Sequence, residues 1–168
     1  MDPRLEFQRL EVLRSLHLLT APSLPKVEEF CREVQARFEV EMVLVTVVDR
    51  ERQIVKARIG TDFEGSSRPD AFCDHLFRSD EVLVVPDARQ DPRFVQNPLV
   101  TGAPFIRFYA GAPLIYMRDL RLGGLCLLDT RPRNLGTAEQ TELAQMADEV
   151  MMLILEHEMT RLGDALRS

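Results

Sequence analysis

Apolar residues recur with a helical period over the first forty positions. Leu5, Leu10, Leu13 and Leu16 stand among charged residues within 4–19, a spacing that predicts a first helix, broken by Pro22 and Pro25. From Lys26 to Phe38, Val27, Phe30, Cys31, Val34 and Phe38 fall on one helical face, which predicts a second, amphipathic helix. The pattern then changes character. Val43-Leu44-Val45-Thr46-Val47-Val48 is a dense β-branched run, expected as a central strand. After the polar turn Asp49 to Arg52, Ile54, Lys56 and Arg58 alternate with Val55, Ala57 and Ile59. That period of two predicts a strand with unlike faces, paired with the first as an antiparallel hairpin.

The middle of the chain is more broken. Gly60 to Asp70 reads as a polar loop, Ala71 to Phe77 as a short helix, and Val82 to Val85 as a short strand ended by Pro86. Asp91-Pro92 predicts a helix start, with Asp as N-cap and Pro at the first helical position. Asn97-Pro98 predicts its stop. Two longer strand-like runs come next, FIRFYAGAPL (105–114) and RLGGLCLLD (121–129). Gly123-Gly124 within the second is expected where packing is close. The last helix is expected over 137–166, with Thr137 and Gln140 at capping-box spacing. Its Leu143, Met146, Val150, Leu153 and His157 form a stripe at alternating spacings of three and four. Helices flanking a mostly antiparallel set of strands predict an α+β fold, with the interrupted middle roofing a pocket over one sheet face.

Composition narrows the function. The chain has 168 residues, one domain's worth, and a net charge of −6, which argues against a nucleic-acid surface. The longest apolar run, Val150 to Leu155, is too short to span a membrane, and MDPRLEFQRL carries no secretory h-region. Three cysteines, Cys31, Cys73 and Cys126, lie 42 and 53 residues apart. Unpaired in spacing, they predict reduced thiols and a cytoplasmic location. Cys73 and His75 sit two apart, a poor chelating pair on a helix, and no zinc spacing involves His17 or His157. No nucleophile–base set or phosphate loop is evident. The expectations are therefore no catalytic residues, no metal and no cofactor.

The strings LRSLHLLTAP (13–22), VTVVDRERQIVKARIG (45–60), AFCDH (71–75), VLVVPDARQDPRFVQNPLVTG (82–102), FYAGAPL (108–114) and LGGLCLLD (122–129) occur in an order that resembles GAF domains. The resemblance is to those at the N-termini of bacterial histidine kinases and GGDEF/EAL cyclic-di-GMP proteins, and it covers roughly residues 5–160. It implies a GAF-like (profilin-like) six-stranded antiparallel sheet, with terminal helices on one face and a roofed pocket on the other. The whole of 1–168 is then a single domain, with helices at 1–20 and 137–166. It also implies a regulatory sensor of an unknown small molecule, within two-component or cyclic-di-GMP signalling. The sensor would act as a homodimer on a fused or separate kinase or cyclase output domain, with no nucleic-acid or membrane partner. The chain stops at Ser168 without such a domain, so a stand-alone protein and an excised fragment both remain open.

Candidate pocket residues are Phe72, Cys73, His75, Phe94, Arg107 and Tyr109. By strand parity Arg107 and Tyr109 share a face with Gly111, so Gly111 would leave space beside Tyr109 and Arg107 could meet an anionic ligand. The structural alternative is that Arg107 pairs within the protein and Tyr109 fills core. Bilin attachment in this family commonly uses a Cys-His pair just before the FYAGAPL strand, and Asn97 to Ile106 contains neither residue. Asn97 is the one trace of the family's cyclic-nucleotide motif. Two rival readings stay open: a ligand-free dimerisation scaffold, and a free methionine sulfoxide reductase-like thiol enzyme, whose closely spaced cysteines are not matched here.

Overall fold

The structure, a computed structural model, describes residues 2–20 and 24–168, so the predicted break at Pro22 lies outside the described residues. Helix α1 (Pro3–Ser15) starts where the Asp2 carboxylate accepts the Arg4 N–H at 2.8 Å and Pro3 takes the first turn. It ends at Ser15; residues 16–20 form turns instead of carrying the helix to residue 20. Helix α2 (Pro25–Phe38) buries Val27, Cys31, Val34 and Phe38, the face its periodicity predicts.

Six strands form one antiparallel sheet in the order β3-β2-β1-β6-β5-β4: β1 (Met42–Val48), β2 (Arg52–Ile59), β3 (Gly65–Ser67), β4 (Leu83–Val85), β5 (Phe108–Tyr116) and β6 (Leu120–Asp129). Strand β3 lies in the segment expected as a polar loop. It pairs only with Arg52 to Ile54 at the sheet edge, and three small polar residues leave no periodic trace. Two bulges alter the expected alternation. In β2, Val45 faces Ala57 and Thr46 faces Val55, so Lys56 is the extra residue. Ile54 and Ala57 therefore face the helices while Val55 faces the other side. In β6, Leu114 faces Gly123 and Ile115 faces Arg121, so Leu122 is extra and stays in the helix-side core beside Leu125.

The sheet divides two cores. Val43, Val45, Val47, Phe108, Ala110, Ala112 and Leu114 face α1, α2 and the last helix, α4 (Thr137–Arg167). Met42, Leu44, Val48, Tyr109, Cys126 and Leu128 face a roof of short pieces. The roof includes a 3-10 helix, Phe72–Arg78, where a short helix is expected. The predicted helix at Asp91-Pro92 is only a run of turns. The helical turn comes later, as α3 (Pro98–Thr101), and Asn97 starts it: its side-chain oxygen accepts the Leu99 N–H at 2.9 Å.

Helix α4 is capped by a Gly136–Glu139 box, not by a Thr137–Gln140 box. The Glu139 carboxylate accepts the Gly136 N–H at 3.3 Å, and Gln140 donates to the Leu135 carbonyl. The stripe expected on α4 is rotated. Leu143, Ala147, Val150, Met151, Ile154 and Glu158 are buried, whereas His157 is exposed. Among the described residues no helix is long and apolar enough to cross a membrane.

Candidate functional site

Under the roof, β1, β2, β5 and β6 present alternate residues to a shared space. Strand parity brings Met42, Leu44 and Thr46 from β1 against Cys126 and Leu128 from β6. Tyr109 from β5 and Gln53 from β2 complete the floor. Thr61 and Phe63, Phe72, and Leu99, Pro104 and Ile106 close it from three roof segments. The remaining cavity is only about 30 Å3, room for a water or two.

Aromatic packing accounts for much of the filling. Phe72 stacks on Phe94 (centroids 4.2 Å apart, 12° between planes) and leans on Tyr109 at 5.0 Å. His75 meets the Phe94 edge at 4.8 Å. The space expected beside Gly111 is occupied by Tyr109 itself: a Cβ at Gly111 would come within 2.3 Å of the Tyr109 hydroxyl. That hydroxyl lies 3.3 Å from Cys126 Sγ.

The six candidate residues thus separate. Phe72 and Tyr109 line the cavity. Phe94 and His75 stand one layer behind Phe72. Cys73 is buried with its thiol on the Gln53 side-chain oxygen. Arg107 does not line the cavity. Its guanidinium donates to the Val100 carbonyl at 2.9 Å and the Ile106 carbonyl at 3.2 Å, fastening the α3 segment to β5. An anion-binding Arg107 is therefore not what the geometry supports. Thr46, Gln53 and Cys126 line the cavity without having been expected there. The parity of β1 could have found Thr46, the single hydroxyl in an aliphatic strand.

Burial sets the chemistry of these groups. It pushes the Cys73 and Tyr109 protons well above their ordinary range, and raises Cys126 to about 11. On the other core face burial raises Cys31 to about 12. All three thiols stay protonated near neutrality, unlike activated thiolates. Burial, then the positive charges of Arg78 and Arg93, lowers His75, which favours its neutral form. Among the described residues no group of three or more His, Cys, Asp or Glu could hold a metal ion.

A charged network joins the roof to α1. Arg9 is 2% exposed. It donates to the Glu6 carboxylate twice at 2.9 Å and to the Val48 carbonyl. Arg68 donates to Glu6 at 2.7 Å and to Asp74 at 2.7 Å. Both guanidinium groups lie over the Phe77 ring, at 4.7 Å and 5.5 Å. Burial raises the Glu6 proton affinity, but the two arginines outweigh it and hold the carboxyl at about 2. The roof helix, the β1–β2 turn and the first helix are tied at one point.

The family model described as the GAF domain matches residues 26–154. A cyclic di-GMP phosphodiesterase of Pseudomonas aeruginosa is 39% identical over 131 residues, 78% of this chain and 22% of the relative. The chain thus spans about a fifth of that relative's length. Among solved structures, the GAF domain of a phosphoenolpyruvate-protein phosphotransferase from Coxiella burnetii superposes with a TM-score of 0.68. It shares 14% identity, covering 94% of this chain and 98% of that one. A type II free methionine-R-sulfoxide reductase from Thermoplasma acidophilum gives 0.65 at 15% identity, covering 79% and 92%. At these identities the likeness is one of fold.

Proposed function

The chain belongs to the GAF family, and from that premise we propose that it is a regulatory, non-catalytic domain that senses a small molecule. The observation that carries this reading is the roofed cavity. Its floor is the sheet, and its walls come from three separate short segments of the roof. A ligand entering beneath Phe72 would displace the roof helix, and the Glu6–Arg9–Arg68–Phe77 network would carry that displacement to α1. The ligand shifts this equilibrium only by binding one roof position better than the other.

The proposed output rests on the likeness to a cyclic di-GMP phosphodiesterase, of whose length this chain covers 22%. A fused or separate kinase, cyclase or phosphodiesterase domain in cyclic-di-GMP or two-component signalling would read the terminal helices in the cytoplasm. Helix α4 offers the second half of that path. Met152, Leu155, Met159, Leu162 and Leu166 repeat at three and four. Four of them are exposed, from 49% at Leu162 to 88% at Leu166, and Leu155 is half-buried. We propose that this seam, not the buried Leu143–Val150 line, joins two copies of the chain in parallel.

The non-catalytic reading rests on three buried thiols with raised proton affinities, the opposite of what a thiol reductase requires. One observation favours the scaffold alternative, the small residual volume of the cavity. A thermal-shift panel of metabolites and nucleotides, with mass spectrometry of co-purified small molecules, separates them. A stabilising or co-purified compound supports the sensor. A panel without effect, and no bound compound, supports the scaffold.

A further inference from the structure

The cavity lining carries a chemical restriction that the family does not supply. Among the described residues, every side chain that lines it is uncharged. The apolar share is Met42, Leu44, Phe63, Phe72, Leu99, Pro104, Ile106 and Leu128, and the polar share is a few neutral groups. Arg107, just before β5, donates to two backbone carbonyls instead. The lining groups that could ionise, Tyr109 and Cys126, are held protonated by burial. An ionised ligand would leave water without an opposite charge to meet it, which costs far more than a hydrogen bond returns.

The same cavity offers defined points for neutral hydrogen bonding. Thr46 is 1% exposed, and its Oγ1 has no protein partner aligned for a hydrogen bond, although the Cys73 and Cys126 thiols lie near it. Gln53 is 5% exposed. Its oxygen takes the Cys73 thiol and its nitrogen makes one long bond, 3.3 Å, to Ser66 Oγ, so one amide N–H is left for a ligand. Thr46 and Gln53 reach the cavity from adjacent strands.

We infer that the site takes a small, uncharged, mainly apolar molecule bearing one hydroxyl, amide or ring N–H group, whose polar end meets Thr46 and whose body replaces the space now filled by Phe72. Nucleotides, carboxylates and zwitterions are excluded by the same lining. This inference rests on the reading of the cavity as a sensor site.

The chain contains no tryptophan, so an indole probe fluoresces over a nearly dark background. Indole, indole-3-acetate and AMP are titrated into the whole chain, wild type and Thr46→Val, AMP by calorimetry. Phe72→Leu, which widens the cavity while keeping an apolar roof, is titrated in parallel. Indole is expected to saturate with a blue-shifted emission, and to bind at least thirtyfold more tightly than indole-3-acetate. Thr46→Val is expected to weaken indole about fivefold without lowering Tm, and Phe72→Leu to tighten it. Equal or tighter binding of indole-3-acetate or AMP overturns the neutral-ligand inference and leaves the sensor reading standing. Binding of none of the three to either the wild type or Phe72→Leu overturns the neutral-ligand inference, while the sensor reading falls only if the thermal-shift panel and the search for co-purified compounds are also negative.

Discussion

Replacing Glu6 by Gln tests whether the roof and the first helix are held as one unit. The Glu6 carboxyl sits at about 2 instead of 4.5. That drop corresponds to about 3 kcal/mol if all of it became stability. The side chain is 23% exposed, so solvent screening removes a good part of it. Against that, Arg9 is buried and loses its carboxylate, which is costly for a desolvated charge. Gln retains one oxygen for one of the two arginines. A net loss of about 2 kcal/mol results, lowering Tm by about 4–8 °C for a chain of this length. The pH dependence is diagnostic. A lowered folded-state value means the stabilisation is complete above about pH 4.5 and is lost as pH falls towards 2. Urea unfolding of wild type and Glu6→Gln at pH 7, 5, 4 and 3 should give a gap that is widest at pH 7 and closes on acidification. Hydrogen exchange at pH 7 should rise in Pro3–Ser15 and Phe72–Arg78 together. A gap below about 0.5 kcal/mol at pH 7, one that does not change with pH, or exchange rising in only one segment would refute the coupling.

Other perturbations probe the site and the interface. Gly111→Ala should displace the Tyr109 ring, since the new Cβ would sit 2.3 Å from its hydroxyl; a loss of about 1–3 kcal/mol in chemical denaturation is expected, and a neutral result would mean the ring is not seated there. Arg107→Met should cost about 1–2 kcal/mol through the two carbonyls it leaves unpaired, with ligand affinity changing less than threefold in calorimetry. Met159→Glu with Leu162→Glu should convert the proposed dimer to monomer in size-exclusion chromatography with light scattering, with Tm kept within about 2 °C, because both side chains are exposed in the single chain.

The helix-side core was readable because its signals are long and periodic. Helix α2 and the alternate face of β5 each repeat a pattern over several turns or pairs. The site was harder. It is assembled from single residues on four strands and three short roof segments, and no local pattern records that Thr46, Gln53 and Cys126 meet. Lys56 and Leu122 show the limit most clearly. One extra residue in each strand reverses the facing of its neighbours further along, and a bulge is fixed by its partner strand, not by its own sequence. Arg107 was expected within the strand, but it lies just before β5, and its side chain answers nearby carbonyls instead of the cavity. On α4, an apolar run on all sides supports more than one stripe, and the packing against β5 and β6 selected Val150 and Ile154 for burial.

Hydrogen–deuterium exchange of the whole chain, with and without a compound that raises its Tm, tests the sensor account most directly. The account predicts that saturation with the compound protects Phe72–Arg78 and Pro98–Ile106, and that Pro3–Ser15 changes in the same titration with the same midpoint, while α2 is unaffected. Protection confined to another surface, or a roof that responds while the first helix does not, would contradict it.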